Sequence, residues 1–538
     1  MTSKNLNLTA KKFGFPNGHH PFYHLILKVA EHLSEDHTIK SVKINGVATR
    51  DYWVYNDSVP SVYHNLHAGK NVEIVLRIDW ENDSAYSVEI EIENSLGKTI
   101  LLQCEGRAPH WGGYWNKEWK YYSAHILTEN HGIERQLEPV HLQLAYYAER
   151  LSEPEKEIRV VAIDPQTGLP EEVPSQVYGV SSITHLKDDV AQPTTSLQVA
   201  FLANVPANVS KMYLVFYGND NAVKPNYPTD LVIKGEGLGI TVENSHYQIE
   251  MHDKSGQLDG IFLKQGVNVL FDHHVEAPGP LHWNPDVYAP PRIWSHACDW
   301  DPPENYSTIS GPIFFTTKRW GPLPDYPDVL VSVTYTFYAY QPYMIMQSIT
   351  DIEEDLYVRA IRNGEIVVNL NFVQEYAWKH PDGRILTLPF EGRPKDPRRA
   401  LDIPPNSPWW AFFNRDIGCS LAAIILESND MRRTEGLSNT EPYITMKWGP
   451  FAYCVRPLAY TFNSSNPQRL IHVPSSTSYS ERLAFYPTRL GSSSNNLFEP
   501  IDGLHQKLSK PINVSEPQME IDSRVPPEWG TTFPYPWV

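Results

Sequence analysis

Short segments in which apolar and polar residues alternate, separated by turn-forming residues, dominate this sequence. The segments 72–78 and 88–93 alternate in this way, which is typical of strands with one buried face. Further strand-like segments cover residues 197–204, 211–217 and 329–340. Dipeptides such as Asn45-Gly46 supply the turns between strands. Many strands with few helices predict an all-β fold built from sandwiches.

Only one stretch follows the period of a helix well. Between residues 21 and 33 the apolar side chains fall three and four positions apart, at Phe22, Leu25, Ile26, Val29, Ala30 and Leu33. The pattern predicts an amphipathic helix here, and an edge strand followed by a turn is the alternative.

Composition bounds the function classes. The 538 residues are 41% hydrophobic and 20% charged, enough to bury the cores of several domains. A net charge of −18 argues against nucleic acid or an anionic membrane as partner. No apolar run approaches the roughly 18 residues of a membrane span, and no apolar signal segment follows the first residues. The four scattered cysteines suit a reducing compartment, so we expect a cytoplasmic protein.

A polar segment with two prolines, residues 218–228, follows one strand-like segment and precedes another. We therefore expect a β-sandwich region over residues 1–228, holding one or two small domains. A large β-domain should follow over residues 229–490. The tail, residues 491–538, has no strand pattern, and we expect it to be irregular and packed on the surface by its aromatic residues.

The opening of the large domain has a recognisable order. Residues 237–262 contain a strand through Tyr247 and Ile249, a Ser255-Gly256 turn and a second strand. This segment resembles the galactose-mutarotase-like super-sandwich of carbohydrate-active lyases, hydrolases and epimerases, and residues 343–363 resemble its central strands. The resemblance covers residues 230–490 and implies a sugar-type ligand on the concave sheet face. Two small β-domains before such a module also resemble the layout of some polysaccharide lyases.

The densest group of chemically useful residues lies between positions 272 and 303. It contains four of the 21 histidines, three tryptophans and seven prolines. A loop this long is uncommon unless it is functional, and its prolines would hold it rigid. We predict a binding or catalytic loop that uses the following aromatic and imidazole side chains: His273, His274, His282, Trp283, Trp294, His296 and Trp300. The alternative is a structural loop whose histidines bond to backbone carbonyls.

The reaction that this loop fits first is β-elimination at a uronate. Such a reaction needs a cation or amide to neutralise the carboxylate and a base to remove the α-proton. His282 or Tyr288 could be the base, and Arg292 with Asn284 could neutralise the carboxylate. Trp283, Trp294, His296 and Trp300 would then bind the sugar.

Two other chemistries and a non-catalytic role stay open. Paired carboxylates drawn from Glu276, Asp286, Asp299 and Asp301 could serve a glycoside hydrolase or an epimerase. A divalent metal could bind His273 and His274, with His282, His296 and Asp299 nearby, although the spacing follows no recognised ligand pattern. Otherwise we expect no cofactor. A carbohydrate-binding protein without catalysis would use the aromatic residues alone.

Further binding candidates lie earlier and later in the chain. Trp115 lies in an aromatic segment that could stack on a sugar or form a staple between domains. His131 and Arg135 could enter a cleft between domains or bond to the loop backbone. Arg359, Arg362 and Asn363 are weaker candidates in the large domain. The sequence thus predicts a carbohydrate-active enzyme whose partner is a small sugar or an oligosaccharide. The sequence allows a homo-oligomer.

Overall fold

A computed structural model of the chain describes residues 6–522, apart from residues 15–22, 30–32, 58, 62, 79–84, 108–114, 117, 165–169, 188–189, 265–268, 272–284, 371, 391–400, 405, 431–442, 447–450, 463–465, 467 and 493–495. Over the described residues the fold is all-β, as the alternation of the sequence predicts. We describe the chain as two small sandwiches and one large domain, each of which contains a main hydrophobic cluster.

The first sandwich contains ten strands around one core. The strands are β1 (Leu6–Gly14), β2 (Tyr23–Val29), β3 (His37–Ile44), β4 (Val47–Ala48), β5 (Tyr52–Asn56), β6 (Val59–Pro60), β7 (Asn65–Leu66), β8 (Val72–Ile78), β9 (Ala85–Asn94) and β10 (Thr99–Arg107). Their order is β4-β3-β9-β10-β1-β2-β8-β5-β6, with β7 beside β3. Every second residue of β9 is buried, which matches the alternation in its sequence.

The second sandwich follows and includes strands from the end of the chain. Its own elements are β11 (Tyr121–Thr128), β12 (Arg135–Tyr147), a 3-10 turn (Ala148–Arg150), α1 (Pro154–Glu157), β13 (Arg159–Ile163), β14 (Pro170–Val173), β15 (Ser175–Lys187), β16 (Val190–Val205) and β17 (Ser210–Tyr217). One sheet has the order β14-β13-β17-β11, and the facing sheet has the order β12-β16-β15.

The large domain begins with β18. Its strands are β18 (Val232–Lys234), β19 (Thr241–Glu243), β20 (Tyr247–Met251), β21 (Leu258–Leu263), β22 (Val269–Phe271), β23 (Asp286–Tyr288), β24 (Ser295–His296), β25 (Asn305–Ser310), β26 (Phe314–Leu323), β27 (Tyr326–Tyr338), β28 (Met344–Ile352), β29 (Leu356–Val358), β30 (Ala360–Asn369), β31 (Glu375–Lys379), β32 (Ile385–Pro389), β33 (Leu401–Asp402), β34 (Trp409–Asn414), β35 (Cys419–Asp430), β36 (Tyr443–Met446), β37 (Phe451–Tyr460), β38 (Ile471–Val473) and β39 (Thr477–Arg489). A 3-10 turn covers Ala297–Asp299.

Two sheets of the large domain carry the residues of the candidate site. The site sheet has the strand order β24-β23-β30-β37-β36-β33. The long sheet has the order β25-β26-β27-β28-β39-β35-β34-β31-β32. Strands β18 to β22 form a third sheet, and β29 pairs with β38. One continuous core joins these sheets and extends to Ala200 and Leu202 on β16 of the second sandwich.

Two expectations about local structure need correction. The described part of the tail is not irregular: it contains α2 (Glu499–Ser509), β40 (Asn513–Val514) and β41 (Gln518–Asp522), and both strands pair with β11. The helix buries Ile501 and Leu504 against the large core. The stretch predicted as a helix at residues 21–33 contains β2 instead, because its apolar residues pair between β1 and β8.

Within the described ranges, no helix has both the length and the apolar character needed to cross a membrane.

Candidate functional site

Strand register brings three ionisable residues into one row on the site sheet. Asp286 on β23 lies opposite His296 on β24 and opposite Arg362 on β30. Residues directly opposite each other in antiparallel strands place their side chains on the same face. His296, Asp286 and Arg362 therefore form a row across three strands, on what we call the outer face of this sheet.

The centre of the row is a buried ion pair. Nε of Arg362 donates to both carboxylate oxygens of Asp286, at 3.0 and 3.1 Å, and Nη2 donates to Oδ2 at 2.6 Å. Asp286 is fully buried and Arg362 is 5% exposed. Buried charges are tolerated when they are paired and hydrogen-bonded in this way, so the pair holds the two strands in register at the site.

A β-bulge places Glu365 on the outer face. The register of β30 against β37 shifts between Asn363 and Ile366, and Gly364 in the shifted segment has a φ of +63°. Ile361 before the bulge and Ile366 after it both face the core, although five positions separate them. The extra residue thus reverses the alternation, and Glu365 shares the face of Arg362. The Glu365 carboxylate acts electrostatically on the Cys298 thiol, which lies just beyond His296.

Aromatic rings line the same face. Tyr288 and Trp294 stack in parallel, with ring centroids 5.1 Å apart and planes inclined by 7°. Phe462 stacks against both rings, at 6.0 and 5.6 Å. We call these three partly exposed residues the aromatic platform. The guanidinium carbon of Arg362 lies 4.5 Å from the Trp294 ring centroid, so the platform and the ion pair form one cluster.

His296 has a carboxylate partner of its own. Its Nδ1 lies 2.9 Å from Oδ2 of Asp299, and its backbone N–H donates to the same oxygen at 2.8 Å. Burial raises the pKa of Asp299, but the hydrogen bonds from His296 outweigh it and the net pKa is lowered. As a hydrogen-bond acceptor at Nδ1, Asp299 favours the Nδ1–H tautomer of His296 and orients its ring.

The opposite face of the site sheet carries a second polar group. Asn363 and Arg456 lie opposite each other on β30 and β37 and reach toward the long sheet. Asn363 donates to Ser348, and Nε of Arg456 lies 3.0 Å from Oε1 of Glu481. Burial raises the pKa of Glu481 to about 7, although the nearby Arg456 lowers it. This group titrates near neutrality inside the sandwich.

One cluster among the described residues has the spacing of metal ligands. The ligand atoms of His296, Cys298 and Asp299 all lie within 4.8 Å of one another. Burial, with Asp299 and Glu365 nearby, raises the pKa of the Cys298 thiol. A divalent cation would reverse that effect and bind the thiolate. Metal binding stays a prediction, and these three residues are its best candidates in the described part of the chain.

Five predicted site residues lie outside the described residues: His273, His274, His282, Trp283 and Asn284. Their predicted roles as base, sugar ligand, amide and metal ligands stay predictions. The structure brings together three of the others, Tyr288, Trp294 and His296, on the outer face of the site sheet.

Arg292 and Trp300 are placed differently from expectation. The Arg292 guanidinium pairs with Asp328 and lies 4.9 Å from the Tyr326 ring centroid. Its charge is therefore already compensated, which disfavours the predicted role against a substrate carboxylate. Trp300 is 4% exposed, belongs to the large core and donates from Nε1 to the carbonyl of Pro322 at 2.8 Å. It stabilises the domain and has no surface for a sugar.

The earlier binding candidates have structural surroundings. Trp115 packs on Trp119 and Phe216 within the second sandwich. These contacts lie inside one domain, so both the predicted sugar stacking and the predicted staple between domains stay predictions. His131 lies exposed in a turn whose backbone N–H groups donate to Glu129. Arg135 is 1% exposed and donates to the carbonyls of Lys507 and Lys510 at the end of α2. No substrate can reach the Arg135 side chain in this structure.

Sequence reasoning missed Glu365, Phe462 and Glu481. The only indication for Glu365 is the isolated Gly364 within a strand pattern, which is typical of a bulge. Phe462 follows the last residue pair of β37 and carries no local pattern that distinguishes it from a core residue. Glu481 lies at an inward-facing position of β39, where alternation predicts an apolar residue.

A separate cleft of about 140 Å³ is lined by residues of the second sandwich and of the large domain. Among the described residues that line it there is no imidazole, and its carboxylate, from Glu155, pairs with Lys224 at 2.6 Å. Its described ionisable residues already have partners, since Lys224 pairs with Glu155 and the Tyr227 hydroxyl donates to Glu172 at 2.7 Å. The outer face of the site sheet is therefore the stronger candidate for chemistry.

No protein-family model matches this chain, and no curated protein matches its sequence. Among solved structures it is similar to an alpha-mannosidase from Enterococcus faecalis V583, with 11% identity over 77% of this chain and 47% of that one and a TM-score of 0.46. A galactose mutarotase-like protein from Lactobacillus casei is 10% identical over 46% of this chain and 99% of its own, with a TM-score of 0.30. A galactose mutarotase related enzyme from Lactobacillus acidophilus is 8% identical over 48% of this chain and 98% of its own, with a TM-score of 0.29.

The chain spans about half the length of the mannosidase structure. TM-scores this low do not establish a shared fold, so they assign no substrate or activity to this chain.

Proposed function

We propose that this protein is a carbohydrate-active enzyme that transfers protons at the anomeric centre of a sugar, in the manner of an aldose epimerase. The supporting observation is the row of His296, Asp286 and Arg362 on one sheet face, next to the aromatic platform. The platform would stack on the apolar face of a pyranose ring, and His296, the partly exposed end of the row, would contact its hydroxyl groups.

Ring opening needs a base and an acid. The base removes the proton of the anomeric hydroxyl, the acid protonates the ring oxygen, and the bond between carbon 1 and that oxygen breaks. Closure on the other face gives the second anomer and returns both protons. Nε2 of His296, oriented by Asp299, suits the base, and the hydroxyl of the partly exposed Tyr288 on the same face suits the exchange with the ring oxygen. Both carboxylate oxygens of Asp286 accept hydrogen bonds from Arg362, so Asp286 would not react but would help to position the neighbouring His296.

Glycoside hydrolysis would use the same residues with water as the attacking group. It requires one carboxylate free to act as nucleophile or base. Both oxygens of Asp286 are held by Arg362, which favours the epimerase proposal over hydrolysis.

The second candidate is the β-elimination that the sequence suggests. One observation favours it: the Tyr288 ring lies in the partly exposed platform, where its hydroxyl could act as the base. Arg292 is committed to Asp328, so another cation would have to neutralise the uronate carboxylate.

Three assays on the purified protein distinguish these reactions. NMR exchange measurements of aldoses report anomeric interconversion, a reducing-sugar assay reports hydrolysis, and ultraviolet absorbance reports the double bond of elimination. We expect faster anomeric interconversion with no reducing sugar released. An increase in ultraviolet absorbance with uronate oligosaccharides would favour elimination. Absence of activity in all three assays would contradict the proposal.

A further inference from the structure

Arg359 lies at the edge of the aromatic platform. Its backbone N–H donates to the carbonyl of Tyr288 at 2.8 Å, which ties it to β23 just before β30 begins. Its guanidinium carbon lies 4.1 Å from the ring centroid of Phe462. The side chain is partly exposed, so a ligand on the platform can reach it.

Among the described residues, no carboxylate compensates the charge of Arg359. Its neighbours Arg362, Arg456 and Arg292 each contact a carboxylate, those of Asp286, Glu481 and Asp328. Within the described part of the chain, no carboxylate lies within ion-pair distance of Arg359, and its Nε has no hydrogen-bond partner. Arg359 thus differs from the three arginines around it.

An uncompensated guanidinium beside a sugar platform suits an anion. The planar donor fork of arginine matches a carboxylate or a phosphate group, and charge-assisted hydrogen bonds are stronger than neutral ones. Stacking on Phe462 restricts the orientation of the guanidinium plane before a ligand arrives. Neutral sugars would leave this charge without a partner.

We infer that Arg359 recognises an anionic group on the sugar substrate, so that the enzyme selects acidic sugars carrying a carboxylate or a phosphate. This inference rests on the proposed function in one respect, namely that the ligand of the aromatic platform is a sugar. The anionic group would lie over the Phe462 end of the platform, while the anomeric centre faces His296.

Binding measurements test this without requiring turnover. Calorimetry would compare glucose, glucuronate and glucose 6-phosphate on the wild type and on Arg359→Gln and Arg359→Lys. We expect at least one acidic sugar to bind the wild type at least tenfold more tightly than glucose. Arg359→Gln should abolish that preference, and Arg359→Lys should retain part of it. The preferred acidic sugar identifies carboxylate or phosphate as the recognised group.

Arg415→Gln is the matched control, because Arg415 also lies over a phenylalanine, Phe413, but pairs with Glu375 on the long sheet. It should keep the preference for the acidic sugar. Phe462→Leu serves as a second variant if Arg359→Gln fails to fold, and it should weaken the preference by removing the stacked ring.

The possible failures are distinguishable. Equal binding of acidic and neutral sugars by the wild type, or an unchanged preference in Arg359→Gln, would overturn the inference and leave the sugar site standing. Selective binding of an acidic sugar without anomeric turnover would support the inference and contradict the proposed function. Binding of no sugar would contradict both.

Discussion

Asp286 and Arg362 face each other across β23 and β30 and are joined by three hydrogen bonds of 2.6 to 3.1 Å. The pair links the row that ends at His296 to the aromatic platform, because the Arg362 guanidinium also lies against Trp294. Since both carboxylate oxygens are occupied, the pair is suited to position the site and not to react itself.

Breaking this pair should be costly. Arg362→Met leaves the Asp286 carboxylate buried without a partner, and we expect a loss of about 3–5 kcal/mol in the free energy of unfolding. Urea denaturation measures it. Arg415→Met, which breaks the more exposed pair with Glu375, should cost less than about 1 kcal/mol. Equal effects of the two variants would show that the buried pair has no special role.

Glu481 should make stability depend on pH. Its pKa is raised by burial from an ordinary value of 4.5 to about 7, so the folded protein holds a proton that the unfolded chain releases. This contribution to stability is complete below pH 4.5 and is lost as pH rises through 7. The loss should be on the order of 1–3 kcal/mol, since a tenfold change in proton affinity corresponds to about 1.4 kcal/mol.

The variant Glu481→Gln keeps the neutral shape of the protonated acid and tests this directly. Its free energy of unfolding, measured by urea denaturation from pH 4.5 to 8, should fall less with rising pH than that of the wild type. A parallel pH dependence in both proteins would contradict the titration of Glu481 in this range.

The two tryptophans near the site should separate binding from stability. Trp300→Ala removes a buried core side chain and its hydrogen bond to Pro322, so we expect a destabilisation of about 3–5 kcal/mol. Trp294→Leu removes a partly exposed platform ring, and it should weaken sugar binding at least tenfold with a much smaller change in stability. Calorimetry and thermal unfolding on both variants check this. Sugar binding that survives Trp294→Leu would mean that the platform is structural.

Arg135 should hold the C-terminal helix in place. Its guanidinium donates to the carbonyls that end α2, and it lies 3.6 Å from the buried Glu129. Arg135→Met should therefore increase hydrogen exchange and proteolysis in residues 499–522 before the rest of the chain is affected. His131→Ala, in an exposed turn, is the control and should change neither. Unchanged protection of α2 in Arg135→Met would contradict this role.

The sequence is sufficient for the fold class, because alternation such as that of β9 follows directly from one buried face. It is ambiguous for β2, where apolar residues spaced three and four apart also occur in a strand with neighbours on both sides. The sequence does not predict helix α2, because the helix has only three apolar residues that contact the large core: Ile501, Leu504 and Leu508. A pattern this short does not distinguish a helix from a loop.

The candidate site is predictable only in part. Tyr288, Trp294 and His296 lie within one loop region of the sequence, so composition alone draws attention to them. Their partners Arg362 and Glu365 are about 70 residues away, and only the pairing of β23 with β30 brings them close. Whether a tryptophan is a ligand or a core residue depends on burial, as Trp294 and Trp300 illustrate.

The most direct test of the central claim compares two histidines. His296 pairs with Asp299 at the site, whereas His472 pairs with Asp355 at 3.1 Å on the protein surface and stacks on Tyr357. NMR exchange would measure the rate of anomeric interconversion for the wild type, His296→Gln and His472→Gln. We predict a loss of about 10²-fold or more in kcat for His296→Gln, typical of a missing general base, and no change for His472→Gln. Equal activity of all three proteins would contradict the assignment of the site.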